Sequence, residues 1–196
     1  MTTAQPPLPE AHAHRHNDDP SPWIVRFAHL VRPGSSVLDV AAGHGRHARL
    51  FAARGCQVVA VDNDRDALSS LGDIADVTPR GLDLEAGGWP LQGERFDAVV
   101  VTHYLHRPTW AELLGSVAAH GVLLYETFMQ GHERYGRPCN PDFLLQPDEL
   151  LNRCAGRLRV VAFEQGDASG GARCAVLQRI VAAGPRFQWP ARLAAA

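Results

Sequence analysis

The sequence predicts an α/β fold in which a doubly wound, seven-stranded mixed sheet carries helices on both faces. Three observations predict it. Short apolar runs alternate with helix-like segments along most of the chain, the order of parallel strands joined by right-handed crossovers. The first clear strand runs into a turn of small residues, Ala41-Ala42-Gly43-His44-Gly45, as ligand-binding sheets of this class do at their carboxyl edge. After Gly156 the alternation stops, and two strand-like runs follow with only Gly166-Asp167-Ala168-Ser169-Gly170-Gly171 between them. That is a C-terminal β-hairpin, and it makes the last strand antiparallel to its neighbours.

Residues 1–20 are rich in Pro, His, Asn and Asp and read as a flexible N-terminal tail. Ser21-Pro22 reads as an N-cap followed by proline at the first helical position. Trp23, Phe27, Leu30 and Val31 share one helical face, and Pro33-Gly34 ends the helix. Residues 36–40 form the first strand, and a helix runs from Arg46 to Arg54 with Gly55 at its C′ position. A second strand over 57–61 ends at Asp62, and a short helix spans 64–71. The third strand falls near 77–82 and ends at Asp83. The fourth, 96–102, is almost continuously apolar, as befits a strand buried on both faces. Thr109-Trp110-Ala111-Glu112 is a capping-box pattern that opens a helix to about His120. The fifth strand covers 121–126, a polar stretch covers 130–141, and a helix over 147–155 stops at Gly156. Residues 158–164 and 172–181 make the hairpin. One domain is expected over 21–185, with a C-terminal tail over 186–196.

A chain of 196 residues can bury one sizeable core without disulfides or metals. The formal net charge of −2 offers no broad basic field, so a nucleic-acid partner is not expected. None of the four cysteines sits at Cys-x-x-Cys spacing, and scattered thiols suit a reducing compartment. No apolar run reaches the ~18 residues of a membrane span. The N-terminus lacks a basic start and an apolar stretch, so a cytoplasmic location is expected. Oligomeric state is not legible.

The turn carries the ligand signal. Small residues at Ala41, Gly43 and Gly45 let a ligand approach the backbone, and the helix that follows aims its N–H groups at the same spot. Asp62 lies 19 residues after Gly43, where a carboxylate can accept bonds from both hydroxyls of a ribose. Asp83 ends the third strand, within reach of an adenine amino group. Gly43-x-Gly45-x-x-Ala48 also fits a dinucleotide fingerprint, which makes NAD a rival ligand. Asp39 argues against it: a pyrophosphate would meet a negative charge there, whereas the amino group of S-adenosylmethionine (SAM) would be attracted. The C-terminal hairpin favours SAM as well.

From about residue 22 to 181 the chain resembles a Rossmann-like class I SAM-dependent methyltransferase. Asp39-Val40-Ala41-Ala42-Gly43-His44-Gly45 resembles the glycine-rich first motif, with Ala41 where a glycine is more frequent. Val61-Asp62-Asn63 resembles the acidic second motif, Leu82-Asp83-Leu84-Glu85 the third, and Phe96-Asp97 through Thr102 the fourth. Gly45-Arg46-His47 is similar to a motif of tellurite-resistance-type and thiol methyltransferases. The resemblance implies SAM as cofactor, held by Asp39, Ala41, Gly43, Gly45, Asp62, Asn63, Asp83, Leu84 and Thr102.

Methyl transfer requires alignment of nucleophile, methyl and sulfur at ~3–3.5 Å for the attacking pair. A base is needed only where the nucleophile holds a proton. His103 and Tyr104, leaving the fourth strand, are the catalytic candidates, and both can instead simply wall the pocket. Arg134, Tyr135 and Arg137, in a stretch too long for a plain connection, are the substrate candidates, since guanidinium suits an anionic group. Their alternative is pairing with Glu126, Glu133 or Asp142 on the surface. His106 and Arg107 read as solvated loop residues, and His44 and His47 as lining the cofactor site or facing solvent. His12-x-His14-x-His16 shares one face of an extended chain, yet no metal site is expected. The expected activity is transfer of a methyl group to a small-molecule acceptor. The alternatives are a macromolecular acceptor, an NAD-binding protein and a non-catalytic SAM-binding protein.

Overall fold

The computed structural model describes residues 19–168 and 174–193. The His12, His14 and His16 pattern and most of the predicted hairpin turn lie outside the described residues. Seven strands form one sheet in the order β3-β2-β1-β4-β5-β7-β6. These are β1 (Ser36–Val40), β2 (Gln57–Asp62), β3 (Val77–Gly81), β4 (Phe96–Thr102), β5 (Val117–Phe128), β6 (Arg159–Asp167) and β7 (Val176–Ala183). β1 to β5 pair in parallel, and β7 runs antiparallel to both β5 and β6. The predicted mixed sheet with its antiparallel last strand is therefore present, with β7 slotted inside the edge strand β6.

Among the described residues five short α-helices cover the sheet: α1 (Pro22–Phe27), α2 (Arg46–Ala52), α3 (Arg65–Ser69), α4 (Trp110–Gly115) and α5 (Glu149–Cys154). Side-chain alternation along the strands splits the core into two layers. Val37, Ala98, Val100, Val122 and Leu124 face α1, α2 and α3, whereas Leu38, Val99, Val101, Leu123 and Tyr125 face α4 and α5. α1 begins where Ser21 accepts a hydrogen bond from the Trp23 N–H at 3.1 Å, the cap expected ahead of Pro22. Gly55 follows α2 with a φ of +77°, which closes that helix and starts β2.

One element differs from the sequence expectation. The helix opened near Thr109 ends at Gly115, and the segment from Val117 to His120 is strand. Val117 pairs with Phe96, and the chain after β7 docks on the same segment through an Arg186 N–H to Ala119 carbonyl bond of 2.7 Å. Thr109 supplies no side-chain cap; its hydroxyl bonds His106 Nδ1 at 2.9 Å. Among the described residues no helix is long and apolar enough to cross a membrane.

Candidate functional site

The parallel strands end along one edge, and the residues that follow them meet there. After β1 the chain turns on Ala41, whose φ is +52°, then on Gly43 at +53° and Gly45 at +75°. Ala41 thus adopts a left-handed conformation that costs an L-residue about 1–2 kcal/mol. Gly45 is required twice: its φ is positive, and a Cβ there would run into the Leu71 side chain. It forms the N-cap of α2 without a side-chain bond.

Two carboxylates hold the turn. Asp62, ending β2, accepts the Gly43 N–H at 2.8 Å and the Asp64 N–H at 2.9 Å. Asp39, 1% exposed, accepts the Ala48 N–H at 2.9 Å and so pins the first turn of α2. Burial pushes its carboxyl up to about 7; the Ala48 bond and Arg46 oppose the rise, and Asp62 adds to it.

Behind the turn lies a cavity of about 160 Å³ lined by Ala41, Asp62, Asn63, Leu82, Asp83, Leu84, Glu85 and Tyr104. Six of the predicted site residues thus converge on one space. Asp83 accepts bonds from the Glu85 and Ala86 N–H groups at 2.8 and 3.1 Å, and Leu84 anchors the loop in the core. The Tyr104 hydroxyl is buried and lacks a hydrogen bond of good geometry among the described residues. Burial and the nearby Glu85 charge push its pKa up. Glu85 and Leu82 are the lining residues outside the predicted set; both lie in the quoted third motif, so position in the motif was the available signal.

Thr102 and His103 close β4. The Thr102 hydroxyl lies 3.4 Å from both Arg46 and His47 Nδ1. His103 has a φ of +55°, a strained backbone of the kind concentrated at functional sites. Its exposed ring stacks on Phe128 at 4.7 Å, and Phe128 stacks on the buried His132 at 4.1 Å. Tyr135 tilts against His132 at 6.5 Å. An aromatic run therefore links the candidate base to the loop after β5. Arg134 and Tyr135 converge on Asp167, by an ion pair and by a 2.8 Å hydrogen bond, while the Arg137 side chain is exposed and its carbonyl meets His132 Nε2. Asp167 is a different partner from the expected Glu126, Glu133 or Asp142.

Two residues have roles that differ from expectation. His47 is buried; its Nε2 accepts the Ser21 N–H at 3.0 Å, tying α1 to α2. Burial, with Arg46 and His103 adding, drives its pKa down to about 3, so the ring is neutral. Arg107 is a clamp: it holds Glu149 through two bonds of 2.8 Å and the carbonyls of Asp142 and Leu144 at 2.7 and 2.9 Å. The surface position expected of Glu126, as a partner for the loop arginines, is also corrected. Glu126, buried on β5 beside Thr102, forms an ion pair with Arg179 of β7 at 2.6 Å, in a geometry too bent for a hydrogen bond. A carboxylate closing the apolar run Val122–Tyr125 was its signal.

Residues 37–120 match a family model described as a methyltransferase domain. TehB from Haemophilus influenzae shares the fold with a TM-score of 0.67 at 17% identity, over 82% of this chain and 61% of its own. The chain thus spans about three fifths of that protein. A TehB-like SAM-dependent methyltransferase from Corynebacterium glutamicum aligns with a TM-score of 0.59 at 15% identity, over 83% of this chain and 86% of its own. The 1,6-didemethyltoxoflavin-N1-methyltransferase of Burkholderia thailandensis aligns with a TM-score of 0.60 at 21% identity, over 83% of this chain and 76% of its own. No curated protein sequence matches the chain. Residues 37–120 are thus similar to a methyltransferase domain, and the chain shares the fold of these three proteins.

Proposed function

We propose that the protein transfers a methyl group from SAM to a small-molecule acceptor. The cavity behind the glycine turn carries this reading. Two of its three carboxylates, Asp62 and Asp83, suit ribose hydroxyls and an adenine amino group, and the buried Tyr104 hydroxyl is a polar atom that a bound nucleoside would satisfy. Asn63 and Leu84 would flank that nucleoside, and Ala41, Gly43 and Gly45 would keep the turn open to it. Asp39, once ionised, would offer a carboxylate to the methionine amino group, with Thr102 as a further candidate contact. When bound, SAM supplies a methyl group already activated on a sulfonium.

The remaining work falls to the chain's own side chains. They have to hold the acceptor in line and take up a proton where its nucleophile carries one. His103, fixed by its backbone and by Phe128, is assigned the proton, with Tyr104 as the wall beside it. Arg134, Tyr135 and Arg137 are assigned to the acceptor, with Asp167 orienting the first two. The 1,6-didemethyltoxoflavin and S-adenosylhomocysteine bound to the Burkholderia enzyme support both halves of the reading. The reaction belongs in the cytoplasm on this reading.

Calorimetric titration with SAM, S-adenosylhomocysteine and NAD tests it. SAM and its product should bind at micromolar levels, and Asp62→Ala should weaken them by ~1–3 kcal/mol. Binding of NAD without SAM would overturn the proposal.

A further inference from the structure

We propose that the amino-terminal edge of the sheet holds a second site, for a small, multiply charged anion of the phosphate type. This inference is independent of the methyltransferase reading. Thr102 lies five steps along β4 from Asp97, so this edge is about 17 Å from the candidate active site, at ~3.3 Å per residue. An open cavity of about 1290 Å³ sits here, between the segment His29–Ser35 and the chain that follows β7.

The walls are built by specific bonds. Gly184 passes so close to the start of β5 that a Cβ would strike the carbonyls of Ala118 and Ala119, and its N–H donates to Gly121 at 2.9 Å. Further along, Gln188 accepts from Arg32 at 2.9 Å, and the Arg192 carbonyl meets His29 Nε2 at 2.8 Å. Phe187 packs into the core layer under α1. The C-terminal segment is thereby fixed as one side of the cavity.

The charges on the lining are one-sided. Arg32, Arg186, Arg192, His29 and His120 face a single acid, Asp97. Asp97 is already engaged: its Oδ2 accepts the Ser36 N–H at 2.8 Å and the Ser36 hydroxyl at 3.0 Å, and its Oδ1 lies 2.7 Å from His120 Nε2. Burial acts against that carboxylate, but Ser36 and His120 outweigh it and hold its pKa below the usual range. The guanidinium groups of Arg186 and Arg192 make no hydrogen bond or ion pair among the described residues. A concave site lined by one sign of charge concentrates counter-ions, and guanidinium matches phosphate oxygens in pairs. The dimensions admit an inorganic polyphosphate or a nucleoside polyphosphate, which share this chemistry.

The test is calorimetry on the full chain with pyrophosphate and with ATP, comparing wild type with Arg186→Ala/Arg192→Ala. Both side chains are exposed, so the double variant should keep its unfolding midpoint, which serves as the folding control. Saturable one-to-one binding that weakens at least ~10-fold in the variant supports the site, and 1 M NaCl should abolish most of it through screening. Equal affinity for the two probes assigns the bare polyphosphate, and tighter ATP assigns a nucleotide. Absence of saturable binding, equal binding by the variant, or binding only of an oligonucleotide would overturn the proposal.

Discussion

Asp39→Asn is expected to make the protein more stable than wild type as the pH is raised. The Asp39 carboxyl is raised from 3.8 to about 7, chiefly by burial. Between those values the folded chain holds a proton that the unfolded chain has released. Stability therefore falls as pH climbs through the window, and the loss is complete above pH 7. The separation corresponds to a ceiling of about 4 kcal/mol at ~1.4 kcal/mol per pH unit. Over the range from pH 5 to pH 8 the same relation gives a change of about 2–3 kcal/mol. Asparagine retains a carbonyl oxygen for the Ala48 N–H but cannot ionise, so this dependence disappears in the variant. Urea unfolding of both chains at pH 5, 6, 7 and 8 measures the difference, with equal m-values as the check that the comparison is valid. Every other titrating group, His47 included, is common to both chains and cancels. A stability difference that stays constant across this range refutes the burial argument.

His47 acts in the opposite direction. Its folded value of about 3 lies below the 6.5 of the free side chain, so stability is intact above pH 6.5 and is lost towards pH 3, by up to about 5 kcal/mol. His47→Gln should flatten that acid limb in a pH titration followed by circular dichroism. Arg107→Ala leaves Glu149, with a side chain 9% exposed, without its clamp; a loss of about 2–3 kcal/mol is expected, and the acceptor KM should rise more than the SAM Kd. Ala41→Gly relieves the left-handed backbone but loosens the unfolded chain. The net gain should be about 0.5–1 kcal/mol, seen as a rise of ~1–4 °C in Tm.

The parts of the fold legible in the sequence are those fixed by local rules. β4 is buried on both faces, so its apolar run is unbroken, and Ser21-Pro22 and Gly55 mark helix ends by conformations that few other residues suit. The cavity residues were legible for a topological reason: parallel strands finish on a common edge, so Ala41, Asp62, Asp83 and Tyr104 meet although up to 63 positions separate them. What escaped depends on distant partners. The strand from Val117 is set by Phe96 and by chain near Arg186, against a local helical pattern. Arg107 finds its partners 35 to 42 positions away, and His47 finds Ser21 26 positions back. Nothing in the local sequence distinguishes those side chains from solvated ones. Asp167 is likewise invisible as the partner of Arg134, because the hairpin brings it back 33 positions later.

The carboxyl edge of the sheet gathers several features that cost the folded chain stability. At the carboxyl edge Ala41 and His103 have positive φ, Asp39 is a carboxyl displaced to about 7, and the buried Tyr104 hydroxyl lacks a hydrogen bond of good geometry among the described residues. None of these closes the sheet or fills the core, and each costs stability in the chain alone. A ligand bearing positive charge and hydrogen-bonding groups would repay three of them: it favours ionised Asp39, satisfies Tyr104, and uses the backbone exposed at Ala41. Asp39→Asn should therefore separate the two quantities, with folding stability rising while SAM affinity falls. Stability and affinity falling together would mean that Asp39 serves only to hold α2, and that the charge recognising the cofactor lies elsewhere.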